Sequence, residues 1–212
     1  RNPFLGLRGV RAYERFDGLI RAQVRAILRA AVHGPLKIMV PMVGLLDELV
    51  RFKTLVGEEA AELAARSIPH RAGIEVGIMV EVPSAALLAD RFAEAADFFS
   101  LGTNDLQQYV FAADRGNPDV RRLNRPHDPA FLRLLDMVVR AAREKGKWVG
   151  LCGEMAGSPR SLPILVGLGF DELSLSATRI PRLKAALVKL EAGACRTLAS
   201  SCLRAGRPEE VE

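Results

Sequence analysis

An α/β fold built on a parallel sheet is predicted by three observations. Short apolar segments alternate with longer amphipathic ones along the 212 residues. The short segments are nearly unbroken apolar runs, as strands buried on both faces of a parallel sheet require. No linker or low-complexity stretch interrupts the alternation, and strict alternation implies helical crossovers between parallel strands.

The elements follow in order. Residues 4–7 read as an opening strand, and residues 36–40, 74–80, 98–101, 148–151 and 172–175 as five more. A first helix spans 18–32 and is ended by Gly34-Pro35. Its Arg21, Arg25 and Arg29 recur every four residues between apolar pairs, which predicts a solvated arginine face. A second helix spans 45–66, with Gly57 as a candidate break. A third follows Pro83-Ser84 and carries Leu87, Leu88 and Phe92. A fourth has Asp128 as N-cap and Pro129 in its first turn, buries Phe131, Leu134, Leu135 and Val138, and stops at Gly146. Ser158-Pro159 opens a fifth, and a sixth follows Ile180-Pro181. Cys195 and Cys202 lie on a last helical segment and read as inert, so residues 193–212 form a C-terminal helix and tail after a main unit at 1–192.

Composition narrows the function. With 49% hydrophobic and 26% charged residues, the chain is not a disordered one. No apolar run reaches the roughly 18 to 20 residues of a membrane helix. Starting at Arg1 with no leader pattern, the chain reads as a piece of a longer polypeptide. Three scattered cysteines form neither a disulfide framework nor a paired zinc motif, so a cytoplasmic setting is expected. The net charge of +5 comes from 24 Arg against 6 Lys. With no basic run of five and 6% aromatics, nucleic-acid binding is not expected.

Polar residues collect after the strand ends: Arg8, Pro41-Met42, Glu81, Asn104-Asp105 and Cys152-Gly153-Glu154. A doubly wound sheet concentrates its site at one switch point. A barrel gathers residues from many strand ends at one mouth. Five contributing strands favour a (β/α)8 barrel, here lacking about its first two strands.

The chemistry lies in these residues. Neighbouring strand ends are about 5 Å apart. Carboxylates at Glu81 and Asp105 would repel there unless they share a cation or a proton. Mg²⁺ takes one or two carboxylates plus substrate oxygens and water. Read singly, Glu81 could also be a helix-capping residue and the Asn104-Asp105 pair a turn. Arg115, in the loop Asp114-Arg115-Gly116-Asn117, suits phosphate or carboxylate, or a surface ion pair. Cys152 faces the same mouth or packs as an inert thiol. Neither G-x-G-x-x-G nor a P-loop occurs. His33, His70 and His127 pair with no Ser or Cys at a recognisable spacing, which disfavours a hydrolase triad.

Five motifs then fall in one order: Asn2-Pro3-Phe4-Leu5-Gly6-Leu7-Arg8-Gly9, Ile38-Met39-Val40-Pro41-Met42, Met79-Val80-Glu81-Val82-Pro83, Gly102-Thr103-Asn104-Asp105-Leu106 and Cys152-Gly153-Glu154. In this order they resemble the phosphoenolpyruvate-utilising barrel family. Asp114-Arg115-Gly116-Asn117 and Gly153-Glu154-Met155-Ala156-Gly157 look more like the phosphoenolpyruvate-protein phosphotransferases, Enzyme I of the sugar phosphotransferase system, than like pyruvate phosphate dikinase or phosphoenolpyruvate synthase. The resemblance implies roles. Glu81 and Asp105 would hold Mg²⁺. Arg8, Asn104, Asp105 and Arg115 would bind phosphoenolpyruvate, and Cys152 would be the acid toward enolpyruvate. It implies a phosphoryl acceptor histidine in an upstream domain, the carrier HPr or a homologue, and a homodimer. Leu7, Val82 and Gln107 depart from the Trp, Thr and Thr common in the family. The rival from another class is a barrel kept for dimerisation or regulation.

Overall fold

The computed structural model describes residues 3–211. Asn2, with which the opening motif begins, lies outside them.

Five strands form one parallel sheet in the order of the chain: β1 (Lys37–Val40), β2 (Glu75–Val80), β3 (Phe99–Gly102), β4 (Val149–Cys152) and β5 (Glu172–Ser174). The register runs Ile38 to Val76, Ile78 to Phe99, Phe99 to Val149 and Leu151 to Leu173. Helices precede, connect and follow the strands: α1 (Asp17–Ala30), α2 (Leu46–Ala65), α3 (Pro83–Leu87), α4 (Ala89–Ala95), α5 (Thr103–Val110), α6 (Pro129–Glu144), α7 (Leu162–Leu168), α8 (Ile180–Leu187) and α9 (Ala192–Arg204). Asp128 caps α6 by accepting from the Ala130 N–H at 2.9 Å, ahead of Pro129. α2 runs through Gly57, which faces open space, without a break.

The core lies between one face of the sheet and the helices. Ile38, Val40, Ile78, Val80, Phe99, Leu101, Val149 and Leu151 meet Val24 and Leu28 of α1, Phe92 of α4 and the Phe131–Leu135–Val138 stripe of α6. Burial on both faces, expected of every strand, is complete in β3, whose four residues are all buried, and nearly so in β2 and β4, where Gly77 and Gly150 are buried and Met79 and Cys152 half-buried. The edge strand β1 alternates instead, with Lys37 and Met39 exposed on the face away from the helices.

Several expectations are corrected. Residues 4–7 form no strand: Pro3–Leu5 is a 3₁₀ turn, closed by the Gly6 N–H donating to the Pro3 carbonyl at 3.3 Å. The Phe4 carbonyl accepts from the Tyr109 hydroxyl rather than from a strand neighbour. Among the described residues the sheet therefore has five strands, not six. The third helix is two, because the backbone at Leu88 (φ −106°, ψ 27°) leaves the helical region. The fifth begins at Leu162, since residues 158–161 are used in a turn closed by the Ser161 N–H on the Ser158 carbonyl.

The arginine face of α1 is not simply solvated. The inward stripe of α2 runs Leu49, Phe52, Val56, Glu59, Leu63, and places a carboxylate at an apolar position. Glu59 is 2% exposed and accepts from Arg21 at 2.7 Å and from Arg25 at 2.6 Å. Two arginines one turn apart thus neutralise it across the helix pair.

Candidate active site

Register puts the strand-end residues in one row. Gly102 of β3 pairs with Cys152 of β4, and Cys152 with Ser174 of β5. Val80 pairs with Leu101, so Glu81 comes opposite Gly102 on the other side. Side chains at these positions share one face. A Cβ on Gly102 would lie 2.9 Å from both Cβ and Oε2 of Glu81. The glycine therefore makes room for the Glu81 side chain, which lies over it; Cys152 stands two strand spacings, or about 10 Å, from Glu81.

Arg8 arrives from a loop, not from a strand of its own. Gly9 has φ +57°, and a Cβ there would be 2.6 Å from the Met42 Cβ. This close approach, with the Val10 N–H donating to the Pro41 carbonyl at 3.1 Å, fixes the segment to the end of β1. Met42 itself has φ +59° and donates its N–H to Glu81 Oε1 at 2.8 Å. Strained backbone of this kind concentrates at functional sites.

Asp105, in the first turn of α5, accepts from both ends of the Arg8 guanidinium at 3.3 Å. Arg115 Nη2 lies 3.9 Å from Asp105 Oδ1. Both guanidinium groups lie over the Phe4 ring, at 5.6 and 5.3 Å from its centre. Burial pushes the Glu81 carboxyl above the ordinary carboxylate range. The Met42 N–H works against this, and the Asp105 charge and a carboxyl–carboxyl hydrogen bond add to it. Asp105 is thus near enough to Glu81 to act on its charge.

Asn104 and Cys152 are clasped together. The Glu154 N–H donates to Asn104 Oδ1 at 3.1 Å, and the Thr103 hydroxyl to the Cys152 carbonyl at 2.9 Å. Gly153 (φ +114°) permits this, since a Cβ would come 2.5 Å from Thr103 Oγ1. The Cys152 thiol is half-buried and donates to the Leu101 carbonyl at 3.5 Å. Burial pushes it up from the ordinary thiol value; a hydrogen bond with Ser100 opposes this, and the Glu81 charge supports it. A thiol held protonated suits an acid and not a nucleophile.

Two cavities open beside this row; Arg8, Glu81, Gly102 and Asp105 line neither of them. One, of about 720 Å³, is lined by Phe4, Asn104, Arg115, Arg121, Glu154 and Arg179 among others. The other, of about 560 Å³, is lined by Asn104, Cys152, Gly153, Glu154, Ser174 and Arg179 among others. All six residues singled out in the sequence, Arg8, Glu81, Asn104, Asp105, Arg115 and Cys152, thus meet at one end of the sheet.

Other participants were not visible in the sequence. Phe4 underlies both arginines, and buried Gln108 accepts from the Arg115 N–H at 2.9 Å. His127, which has no Ser or Cys at a recognisable spacing, has Nε2 2.8 Å from the hydroxyl of buried Ser161, 34 residues away. An aromatic ahead of Arg8 was the one signal on offer for Phe4.

The family profile described as PEP-utilising enzyme, PEP-binding domain, matches residues 1–192. The phosphoenolpyruvate-protein phosphotransferase of Geobacillus stearothermophilus is 50% identical over 210 residues, which are 99% of this chain and 36% of that protein. Multiphosphoryl transfer protein 1 of Escherichia coli K12 is 48% identical over 211 residues, 100% of this chain and 25% of that protein. The chain therefore spans about a quarter to a third of the relatives it matches. A citrate lyase structure from Burkholderia xenovorans LB400 superposes with a TM-score of 0.60 at 18% identity, covering 86% of this chain and 58% of that one; this likeness concerns the fold alone. Nearly the whole chain fits one profile, so it belongs to the family of PEP-utilising enzymes, as their PEP-binding domain.

Proposed function

We propose that the chain is the phosphoenolpyruvate-binding part of an Enzyme I type phosphoenolpyruvate-protein phosphotransferase. The carrying observation is the row of strand ends at Gly102, with Glu81 on one side, the Cys152 thiol on the other, and Asp105 engaging two arginines beside it. The complete fold is read as a (β/α)8 barrel whose remaining strands pair with the free edges of β1 and β5. Residues 193–212 are read as a helix and tail added to it.

A divalent cation fits this donor set. Glu81 and Asp105 converge, and among the described residues no third acidic, His or Cys ligand joins them, which leaves room for substrate oxygens and water. Bound there, Mg²⁺ would offset negative charge on the substrate oxygens. Arg115, with Arg8, holds the phosphoryl group from its own side. A histidine nitrogen from the upstream domain takes the phosphorus, and the bridging P–O bond breaks with its electron pair left on enolpyruvate. Cys152 then gives its proton to the methylene carbon, and pyruvate leaves. The phosphohistidine passes its group to HPr or a homologue. A cytoplasmic homodimer completes the reading; among the described residues no helix is long and apolar enough to cross a membrane.

Calorimetric titration of the full-length polypeptide with phosphoenolpyruvate, with and without Mg²⁺, tests this. Mg²⁺-dependent binding is the expected result. Absence of binding would favour a barrel retained for dimerisation or regulation.

A further inference from the structure

Arg179 ends the short 3₁₀ turn Ala177–Arg179 that follows β5, at the same end of the sheet as the site. Its side chain lies across Gly157: a Cβ on that glycine would stand 3.0 Å from Arg179 Cδ and 3.2 Å from Nη1. Arg179 lines both cavities. Only one of these contains Arg115 and only the other contains Cys152, so Arg179 stands on the wall they share.

The charges around it differ in their engagement. Arg8 and Arg115 are both drawn to Asp105. Arg179 makes no side-chain hydrogen bond or ion pair among the described residues, even though Glu154 lines the same two cavities. An arginine fork facing a polar cavity with no protein acceptor is suited to an oxyanion brought by the ligand.

The geometry of enolpyruvate says which oxyanion. Its central carbon is trigonal and planar, with three substituents: the methylene carbon, the phosphoryl-bearing oxygen and the carboxylate. The methylene carbon belongs at Cys152 and the phosphoryl group at Arg115. The carboxylate must leave in the third direction, and the shared wall between the two cavities carries Arg179. We infer that Arg179 is a further ligand-positioning residue that takes the carboxylate of the bound three-carbon acid. This rests on the enolpyruvate reading of the site.

The test uses the full-length protein with Mg²⁺, comparing Arg179→Gln and Arg179→Lys with the parent. The probes are pyruvate, which carries the carboxylate alone, and inorganic phosphate. Losing one charge-assisted fork should weaken pyruvate binding by about tenfold to a hundredfold. Phosphate binding should not change, and Arg179→Lys should recover part of the loss. For phosphoryl transfer, KM for phosphoenolpyruvate should rise more than kcat falls. Unchanged pyruvate affinity in Arg179→Gln would overturn the inference while leaving the site reading intact. Equal weakening of pyruvate and phosphate would also overturn it, since that is a general field and not carboxylate recognition. A parent protein that binds neither phosphoenolpyruvate nor pyruvate takes down both readings.

Discussion

Glu81 combines two opposed demands. As an ion it is unwelcome where it sits, because burial and the neighbouring Asp105 both disfavour its charge. A cation would reverse that. Glu81→Gln keeps an oxygen for the Met42 N–H and removes the charge. We therefore expect it to abolish Mg²⁺-dependent phosphoenolpyruvate binding in calorimetry, while the metal-free protein melts no lower than the parent. A lower melting point would show that the carboxylate is needed for the fold. Cys152 makes the complementary case. Its thiol is held up by burial, so it stays protonated through neutral pH. Cys152→Ala should slow phosphoryl transfer by about a hundredfold or more, the usual scale of general-acid catalysis, with substrate affinity retained. In the parent, turnover should persist until the pH rises past the ordinary thiol range. Full turnover by Cys152→Ala would return this residue to the inert-core reading. Both residues were legible as strand-end positions. Their states were not, because burial and the Ser100 and Asp105 contacts are properties of the assembled sheet.

At the scale of elements, two helix pairs carry sharp constraints. α7 lies so close to α9 that a Cβ on Gly167 would stand 2.0 Å from the Cys195 carbonyl oxygen. Gly167→Ala must push the two helices apart. A loss of about 2 kcal/mol or more is expected in thermal or denaturant unfolding, as for other overpacked interiors. An unchanged midpoint would mean that α9 is only loosely attached. In the α1–α2 pair, burial alone would raise the Glu59 carboxyl, but hydrogen bonds from Arg21 and Arg25 outweigh it and hold the group below its ordinary value. A lowered carboxyl contributes stability above its unfolded-state pKa and loses it as pH falls through the folded-state value. Stability should therefore decline on acidification below about pH 4.5. Glu59→Gln should cost about 1 kcal/mol at neutral pH, since both arginines are one-third exposed, and should flatten that acid limb. Chemical denaturation at pH 7 and in acid measures both. The helices themselves were readable from apolar spacing. The carboxylate within the α2 stripe was readable too, but its partners lie 34 and 38 residues away.

The whole molecule has an open sheet. Among the described residues β1 pairs only with β2 and β5 only with β4. Near the β1 edge Leu36 and Met39 are exposed, as are Leu5 and Leu7 in the opening segment. Free parallel edges beside apolar surface invite pairing with another chain. Residues 1–212 produced alone should self-associate, as seen by light scattering or analytical ultracentrifugation. A monodisperse, cooperatively melting monomer would show that these edges need no further strands.

The sequence alone determined the alternation of strands and helices, because apolar periodicity reports which faces are dry. It also determined which polar residues end the strands, and through their ordered motifs the family. Tertiary structure decided the rest. Residues 4–7 are apolar enough for a strand, yet Gly9 locks against Met42 and the segment becomes a turn that delivers Phe4 and Arg8. Arg8 and Asp105 are 97 residues apart, and no local pattern announces their pairing. The room that Gly102 leaves for the Glu81 side chain depends on Glu81 standing opposite it, which is a fact of register. Periodicity is a property of neighbouring residues along the chain. A site is a property of neighbours in space, and only the packed sheet makes them neighbours.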